Sequence, residues 1–146
     1  FYRKVYERDR ENVDMNLRLL RMYIDRREYD KASEFLVFFD EKHHDIYEYN
    51  ILAGTYWSEK KEYEKALACF EKAIEIDSSQ PLPYYHQGLL NVQRGAFDVA
   101  CENWKKALLL SPPDELADKI MHCLNLTVEL SEILERDLKS RRKDVR

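Results

Sequence analysis

The sequence is poor in the residues that make tight turns, with three glycines and four prolines among 146 residues. An all-β domain of this length would need many more turn residues, so the composition favours an all-α fold. No apolar run approaches the roughly 18 residues needed to cross a bilayer. We therefore expect no membrane insertion within this segment.

Cysteine is also scarce, and the three cysteines form no CxxC pair. Cys69, Cys101 and Cys123 each lie in a helical pattern, which predicts buried free thiols rather than disulfides. Free thiols are typical of a reducing compartment, so we expect a cytoplasmic location. The sequence starts with Phe1 rather than Met, and its first residues do not form a signal peptide. An upstream signal or anchor outside the sequence stays open.

Neither sign of charge dominates, since the net charge is −4, and this balance gives no general reason to expect nucleic-acid binding. The distribution is nevertheless uneven at the C-terminal end. Cations there suit the C-terminal dipole of a helix, whereas RNA binding through the tail is an alternative from another class of function. The basic residues of this tail are Arg136, Lys139, Arg141, Arg142, Lys143 and Arg146.

Motifs for catalysis are missing as well. The sequence has no glycine-rich phosphate loop, no HExxH and no nucleophile elbow. His43–His44 is far along the chain from any cysteine, and the adjacent pair His122–Cys123 points to two different helix faces. We therefore expect no enzyme activity, no catalytic residue, no metal and no cofactor.

What the sequence does contain is a regular repeat, with a period of about 34 residues. Gly54 and Gly88 lie one such period apart, and several other residue types recur at the same interval. One spacing shared by so many kinds of position predicts a stacked array of helices. The recurring sets are Ala32, Ala66 and Ala100; Tyr29, Tyr63 and Phe97; Phe70 and Trp104; Ala73 and Ala107.

The period divides the chain into three units, 13–46, 47–80 and 81–114, each predicted as two helices joined by a short turn. Residues 1–12 match the second half of the last helix of a preceding unit. Residues 115–146 are predicted as a long capping helix followed by the basic tail. The apolar positions of this helix are Leu116, Ile120, Cys123, Leu124, Leu130, Ile133, Leu134 and Leu138.

The third unit shows the pattern most clearly. Its first helix is predicted from about Pro81 to Arg94, and its second runs from about Phe97 to Leu110. The turn at Gly95–Ala96 joins them, since glycine supplies the backbone freedom that a helix end needs.

This pattern resembles the tetratricopeptide repeat, whose signature is W-x2-L-G-x2-Y, then A-x3-F, an Ala and a Pro. The resemblance implies one domain over residues 1–146, an α-solenoid of helix–turn–helix repeats in which the first repeat is degenerate. Small residues let neighbouring helices approach, so we expect Gly54 and Gly88 to face Ala66 and Ala100. The signature slots of the second and third units hold Asn50, Ala53, Gly54, Trp57, Ala66, Phe70, Ala73 and Ser78, and Tyr84, Gln87, Gly88, Asn91, Ala100, Trp104, Ala107 and Pro112.

In this family the first helices of the repeats line a concave groove. The resemblance implies a groove that is polar at one end and apolar at the other. The best candidates for partner contact are Leu17, Arg21, Ile51, Thr55, Leu82, Tyr85, Leu89 and Val92.

The family's carboxylate clamp, which captures the acidic C-terminal tails of chaperones, needs Lys or Arg together with Asn. Arg21 is the only cation among the corresponding residues here, so we expect the groove to bind an apolar or amphipathic segment instead. A rival interpretation is that the C-terminal helix, or another copy of the chain, already covers the apolar end. The remaining clamp places hold Leu17, Leu52, Glu48 or Leu82, and His86.

Two departures from the pattern lie elsewhere. Val37 and Phe38 stand where the other units carry charges, which indicates either an interface on the convex side or a rotated helix that buries Phe38. Gln87 and Asn91 occupy slots that are usually apolar. We expect them to pair at i,i+4 and to need a buried partner.

Together these features predict a protein–protein interaction scaffold that works within a larger assembly. A secretion or assembly chaperone for a client protein is the alternative among binding proteins. The expected partner is a protein or peptide, and self-association stays open.

Overall fold

The computed structural model describes residues 9–144, apart from the side chains of residues 9–12 and Lys42. These residues form seven α-helices, and no strand occurs among them. This confirms the all-α fold class with its long C-terminal helix. The helices are α1 Asp9–Asp25, α2 Tyr29–Lys42, α3 Tyr47–Glu59, α4 Tyr63–Ile76, α5 Leu82–Gln93, α6 Phe97–Leu109 and α7 Asp114–Asp144.

The chain falls into two compact units that divide between Asp77 and Ser78. The first contains α1 to α4, and the second contains α5 to α7. Within them α3 packs along α4 and α5 along α6, as helix–turn–helix pairs, while α7 packs on α6. A single domain over the whole chain stays a prediction.

The turn inside each pair has a backbone geometry that recurs at the repeat period. Arg27, Lys61 and Gly95 have positive φ angles of 60°, 62° and 79°. At each turn the following N–H reaches back to a carbonyl of the preceding helix, as when Ala96 N donates to Asn91 O at 2.8 Å. This is the Schellman arrangement that ends helices. Only the third turn has glycine at the position of positive φ, so the sequence predicted this conformation only for that turn.

These turns allow a stability prediction. We expect Arg27→Gly and Lys61→Gly each to raise the free energy of unfolding by about 0.5–1 kcal/mol, because glycine adopts positive φ without the steric penalty of a side chain. Gly95→Ala should lower it by about 1 kcal/mol for the same reason. Urea denaturation measures all three. Lys60→Gly is the control, since Lys60 has a φ of −80° and should gain nothing. A loss of stability in both glycine variants would contradict this account of the turns.

The N-terminal prediction needs a correction. Residues 9–12 continue directly into the first helix of the 13–46 unit, so they are not part of a separate preceding helix. The remainder of the predicted helix remnant, residues 1–8, lies outside the described residues. At the other end α7 continues to Asp144, so the helix extends into the residues that were predicted as the basic tail.

The two glycines inside the helical pairs pack closely against aromatic rings. A Cβ atom on Gly54 would lie 2.6 Å from the Phe70 ring, and one on Gly88 would lie 2.1 Å from Trp104 Nε1. The nearest neighbours of the two glycines are therefore aromatic rings of the paired helix, and the contacts with Ala66 and Ala100 stay predictions. Gly88 and Trp104 of the second pair lie one repeat period after Gly54 and Phe70 of the first. Each ring fills the space that the missing side chain leaves on the opposite helix.

The core of the second unit joins all three of its helices. Ala100, Trp104, Ala107 and Ile120 are fully or almost fully buried together. Ile120 lies on α7, so this helix closes the end of the α5–α6 pair, as a terminal cap does. Trp104 Nε1 donates a hydrogen bond to Tyr85 O at 3.2 Å, which satisfies its buried N–H.

A polar cluster is buried beside this core. Asn91 Nδ2 donates to Asn103 Oδ1 at 2.8 Å, and Asn103 Nδ2 donates to Gln87 Oε1 at 3.3 Å. Gln87 and Asn91 are both buried on α5. The sequence indicated that this pair needs a partner, and the structure identifies it as Asn103 on α6. One amide therefore bridges the two buried side chains.

Candidate protein-binding face

The predicted groove positions of the first unit offer little free apolar surface. Leu17 is only 4% exposed and belongs to the core of this unit, and Ile51 is only 6% exposed. Arg21 forms a salt bridge with Glu48, in which Nη2 lies 2.8 Å from Oε1. Thr55 Oγ1 donates to Ile51 O within its own helix at 2.9 Å. The one cation among the clamp positions is thus already paired with a carboxylate.

The second unit presents its predicted positions differently. Leu82, Tyr85, Leu89 and Val92 are all partly exposed, and their spacing places them along one face of α5. The last three also pack against the Trp104 core. Their inner edges are therefore fixed by packing, while their outer edges remain accessible.

Tyr85 makes contacts through both its ring and its backbone. Its ring lies 5.4 Å from the His86 ring, and its carbonyl accepts the Trp104 indole hydrogen bond. Desolvation raises the pKa of the Tyr85 hydroxyl, with a smaller contribution from nearby Cys123. The side chain is therefore neutral at physiological pH and suited to contact with apolar groups.

Cys123 is a member of this surface that sequence reasoning missed. It packs against the same core as Tyr85, Leu89 and Val92. The signal was present in the sequence, because positions 21, 55, 89 and 123 follow one another at the repeat period. The start of α7 thus occupies the place of the first helix of a further repeat. We call Leu82, Tyr85, Leu89, Val92 and Cys123 the apolar face.

The three cysteines are free thiols, and each is partly rather than fully buried. Desolvation, with a contribution from Asp40, raises the pKa of Cys69 to about 11. It also raises the pKa of Cys101 and of Cys123. The thiols are therefore protonated at neutral pH, which makes them poor nucleophiles.

The other predicted interface lies on α2. Val37 is 59% exposed, whereas Phe38 is partly buried against the core of the first unit. The Phe38 ring lies 5.4 Å from that of Phe39 and lines a cavity of about 250 Å³ together with Asn16, Glu34 and Phe35. Of the two interpretations, this placement favours the one in which Phe38 turns inward.

His86, beside Tyr85, leads to a pH prediction. Desolvation lowers its pKa to about 4, below the roughly 6.5 of an unfolded chain. The unfolded state therefore takes up the proton first as the pH falls, and stability is lost between about pH 6.5 and pH 4. We expect this to amount to about 1–3 kcal/mol, less than the full shift because His86 is partly exposed.

The measurement compares wild type with His86→Gln by urea denaturation at several pH values. The stability difference between the two proteins should shrink or reverse towards pH 4, because only wild type carries this histidine. A difference that stays constant from neutral pH to pH 4 would show that His86 titrates normally.

Within residues 9–144 no cluster of three or more metal-binding side chains occurs. The helices in this part of the chain include none that is long and apolar enough to span a bilayer.

The architecture defined by these features is a helical-repeat fold built from helical hairpins that recur at one fixed period. A model of the tetratricopeptide repeat (TPR) family matches residues 59–95, which contain the αL turn at Lys61 and the whole of α4 and α5. The chain thus carries a TPR repeat and has a TPR-type fold, which confirms the resemblance drawn from the sequence. No curated protein sequence gives a significant match.

Solved structures with this fold include the type III secretion chaperone SycD and the protein PcrH. SycD from Yersinia enterocolitica was solved in complex with a peptide of the translocator YopD, and it is 15% identical to this chain. The two structures superpose with a TM-score of 0.75 over 86% of this chain and 98% of the SycD chain. PcrH from Pseudomonas aeruginosa is 18% identical to this chain. It was also solved in complex with the chaperone binding region of PopD. In that complex the TM-score is 0.75, with 83% of this chain and 94% of PcrH covered.

The protein MamA is also similar, with 24% identity and a TM-score of 0.64 over 97% of this chain and 81% of MamA. At these levels of identity the similarity establishes the shared fold.

Proposed function

We propose that the chain binds an apolar or amphipathic segment of another protein on the apolar face, and that it carries out no chemistry of its own. The observation that carries this proposal is the row of four partly exposed apolar side chains along α5, which rests on a rigid core. Burying one such side chain is worth roughly 1.5–3 kcal/mol. Two or three anchors, less the cost of ordering the segment, correspond to roughly micromolar affinity.

Other observations on the groove agree with an apolar ligand. The carboxylate clamp is absent, since His86 and leucines stand where its cations and asparagines would be. Arg21, its single cation, is engaged by Glu48 at 2.8 Å. Leu17, Arg21, Ile51 and Thr55 of the first unit remain proposals as contact residues.

A more specific function is that of a chaperone for a secreted or assembling client. PcrH and SycD, which share the fold, were solved with a chaperone binding region and a translocator peptide bound. A client segment with apolar side chains would suit the apolar face in the same general way. Co-expression tests this function, because a chaperone should raise the soluble yield of its client and the Tyr85→Glu/Leu89→Glu variant should not.

Selection from a random-peptide display library tests the binding proposal without knowledge of the natural partner. Peptides selected on wild type should be rich in apolar residues. They should bind Tyr85→Glu/Leu89→Glu at least about 100-fold more weakly, since two buried anchors are lost. Val99→Glu is the matched control, because Val99 is an exposed apolar residue on α6 and should leave binding unchanged. Selected peptides that bind the double variant as well as wild type would refute the assignment.

A further inference from the structure

We propose that a cavity in the first unit binds an arginine side chain of a partner protein. The cavity has a volume of about 250 Å³ and is lined by Asn16 of α1 and by Glu34, Phe35 and Phe38 of α2. Sites that enclose a whole small molecule usually measure roughly 300–1,000 Å³. This cavity is below that range, so it is suited to one side chain rather than to a cofactor or a metabolite.

The lining residues supply the contacts that a guanidinium group makes. Glu34 offers a carboxylate, and Asn16 offers an amide oxygen as a second acceptor. The rings of Phe35 and Phe38 complete the described lining, and cations are attracted to the faces of such rings. Arginine is the side chain that stacks on aromatic rings and also donates several hydrogen bonds to a carboxylate. The chemistry of the walls therefore favours arginine over lysine or an apolar side chain.

Both aromatic rings of the cavity are held in place by their neighbours. The centre of the Phe35 ring lies 5.6 Å from that of Tyr23, and the centre of the Phe38 ring lies 5.4 Å from that of Phe39. Phe35 and Phe38 also pack against the core of the first unit. These side chains are therefore ordered before a partner arrives, which lowers the entropy cost of binding.

The carboxylate of Glu34 is open to a cation from outside. Lys31 is one helical turn before Glu34 on α2, but its Nζ lies 3.5 Å from Glu28 Oε2 and 5.7 Å from the centre of the Tyr23 ring. Among the side chains that the structure describes, no lysine or arginine forms a salt bridge with Glu34. None of the described residues that line the cavity is a cation either. An arginine of a partner would supply the missing positive charge.

The surface beside the cavity indicates that the partner segment is basic. Residues 13–77 contain ten lysines and arginines and fifteen aspartates and glutamates, which gives a net charge of −5. At 100° per residue, Asp30, Glu34, Val37 and Glu41 of α2 lie within about 60° of one another. All four are exposed, so an acidic stripe with one apolar residue adjoins the cavity. An arginine with an apolar neighbour is complementary to Glu34 and Val37.

This site is separate from that of the proposed function. The cavity is formed by α1 and α2, whereas the apolar face is formed by α5 and α7. The two sites share no residue. Failure of the arginine site would therefore leave the proposed function untouched, and the reverse also holds.

Nuclear magnetic resonance titration of the isotope-labelled full chain with N-acetyl-arginine methylamide tests the chemistry of the cavity. We expect saturable shifts of the backbone amides of residues 34–38, with a dissociation constant in roughly the millimolar range, because one side chain makes all the contacts. The citrulline derivative has nearly the same shape but no charge, and it should bind at least about tenfold more weakly. Equal binding of the two compounds, or shifts centred elsewhere in the chain, would overturn the proposal.

Variants then test the two kinds of contact separately. Glu34→Gln removes the charge, and Phe35→Leu removes the ring but keeps an apolar side chain. Each should weaken binding of the arginine compound by at least about threefold. Glu64→Gln is the matched control, because it removes the same charge from an exposed residue of α4. An effect of Glu64→Gln as large as that of Glu34→Gln would show that only general charge attracts the compound. Amide spectra without titrant establish that each variant keeps its fold.

Selection from a random-peptide display library on Tyr85→Glu/Leu89→Glu tests whether the cavity takes a protein segment. With the apolar face disabled, the selected peptides should carry an arginine beside an apolar residue. Citrulline in place of that arginine, or Glu34→Gln in the protein, should weaken their binding at least about tenfold. Selected peptides that lack arginine, or that bind Glu34→Gln as well as the parent protein, would refute the assignment.

Discussion

Gly88→Ala is expected to lower the free energy of unfolding by about 2–3 kcal/mol, although alanine favours helices more than glycine does. The added Cβ would lie 2.1 Å from Trp104 Nε1, so the indole must move. Trp104 is fully packed against Ala100, Ala107 and Ile120, and its N–H is bonded to Tyr85 O. The substitution therefore strains the centre of the second unit and weakens that hydrogen bond.

Urea denaturation followed by far-UV circular dichroism measures this effect, since that signal does not depend on the tryptophan that the control removes. The control is a double-mutant cycle with Trp104→Leu. If the clash causes the loss, Gly88→Ala should cost much less once the indole is removed. A stabilising effect of Gly88→Ala in the background that retains Trp104 would show that this close approach does not exist in solution.

Asn103→Leu is the second substitution with a large expected effect, a loss of about 2–4 kcal/mol in the free energy of unfolding. It removes the acceptor of Asn91 Nδ2 and the donor to Gln87 Oε1, and both of those side chains are buried on α5. A buried polar group left without a partner costs about 1–3 kcal/mol. Asn103→Leu leaves two such groups, Asn91 Nδ2 and Gln87 Oε1, without this partner.

The matched control replaces the whole cluster. Gln87→Leu/Asn91→Leu/Asn103→Leu should recover most of the lost stability, since apolar replacement of all partners leaves no polar group unpaired. The free energies of unfolding of wild type, the single variant and the triple variant form the comparison. A single variant within about 0.5 kcal/mol of wild type would show that the amide network contributes little.

The repeat period was sufficient to predict the helical pairs and their phase, because each unit repeats one backbone arrangement. It predicted the turn at Gly95, where glycine marks the left-handed position. It did not predict the same conformation at Arg27 and Lys61, since an arginine or lysine carries no sign of positive φ. Backbone geometry follows the repeat more closely than residue type does.

Side-chain partners across helices were harder to predict. The period places Gly88 opposite the second helix of its hairpin but does not tell which side chain lies nearest, and in the structure that side chain is Trp104. Asn103 carried no signal of its own. Its role depends on the rotation of α6 against α5, which spacing along one helix does not fix.

In the candidate site, too, the repeat period predicted the position of a residue along its helix but not its burial. The period selected Tyr85, Leu89 and Val92, and all three lie at the surface of the second unit. Leu17 and Ile51 occupy equivalent positions but are buried, because burial depends on the neighbouring helices rather than on the repeat position. The roles of these residues in binding stay predictions.

The central claim is that the apolar face on α5 contacts a protein partner. Site-specific photo-crosslinking tests it most directly, with Leu89→p-benzoylphenylalanine in one protein and Val99→p-benzoylphenylalanine in another, each expressed in its native cells. We predict a discrete crosslinked partner from position 89 that disappears with Tyr85→Glu, and none from position 99 on α6. Crosslinks from position 99 alone, or equal products from both positions, would contradict the account.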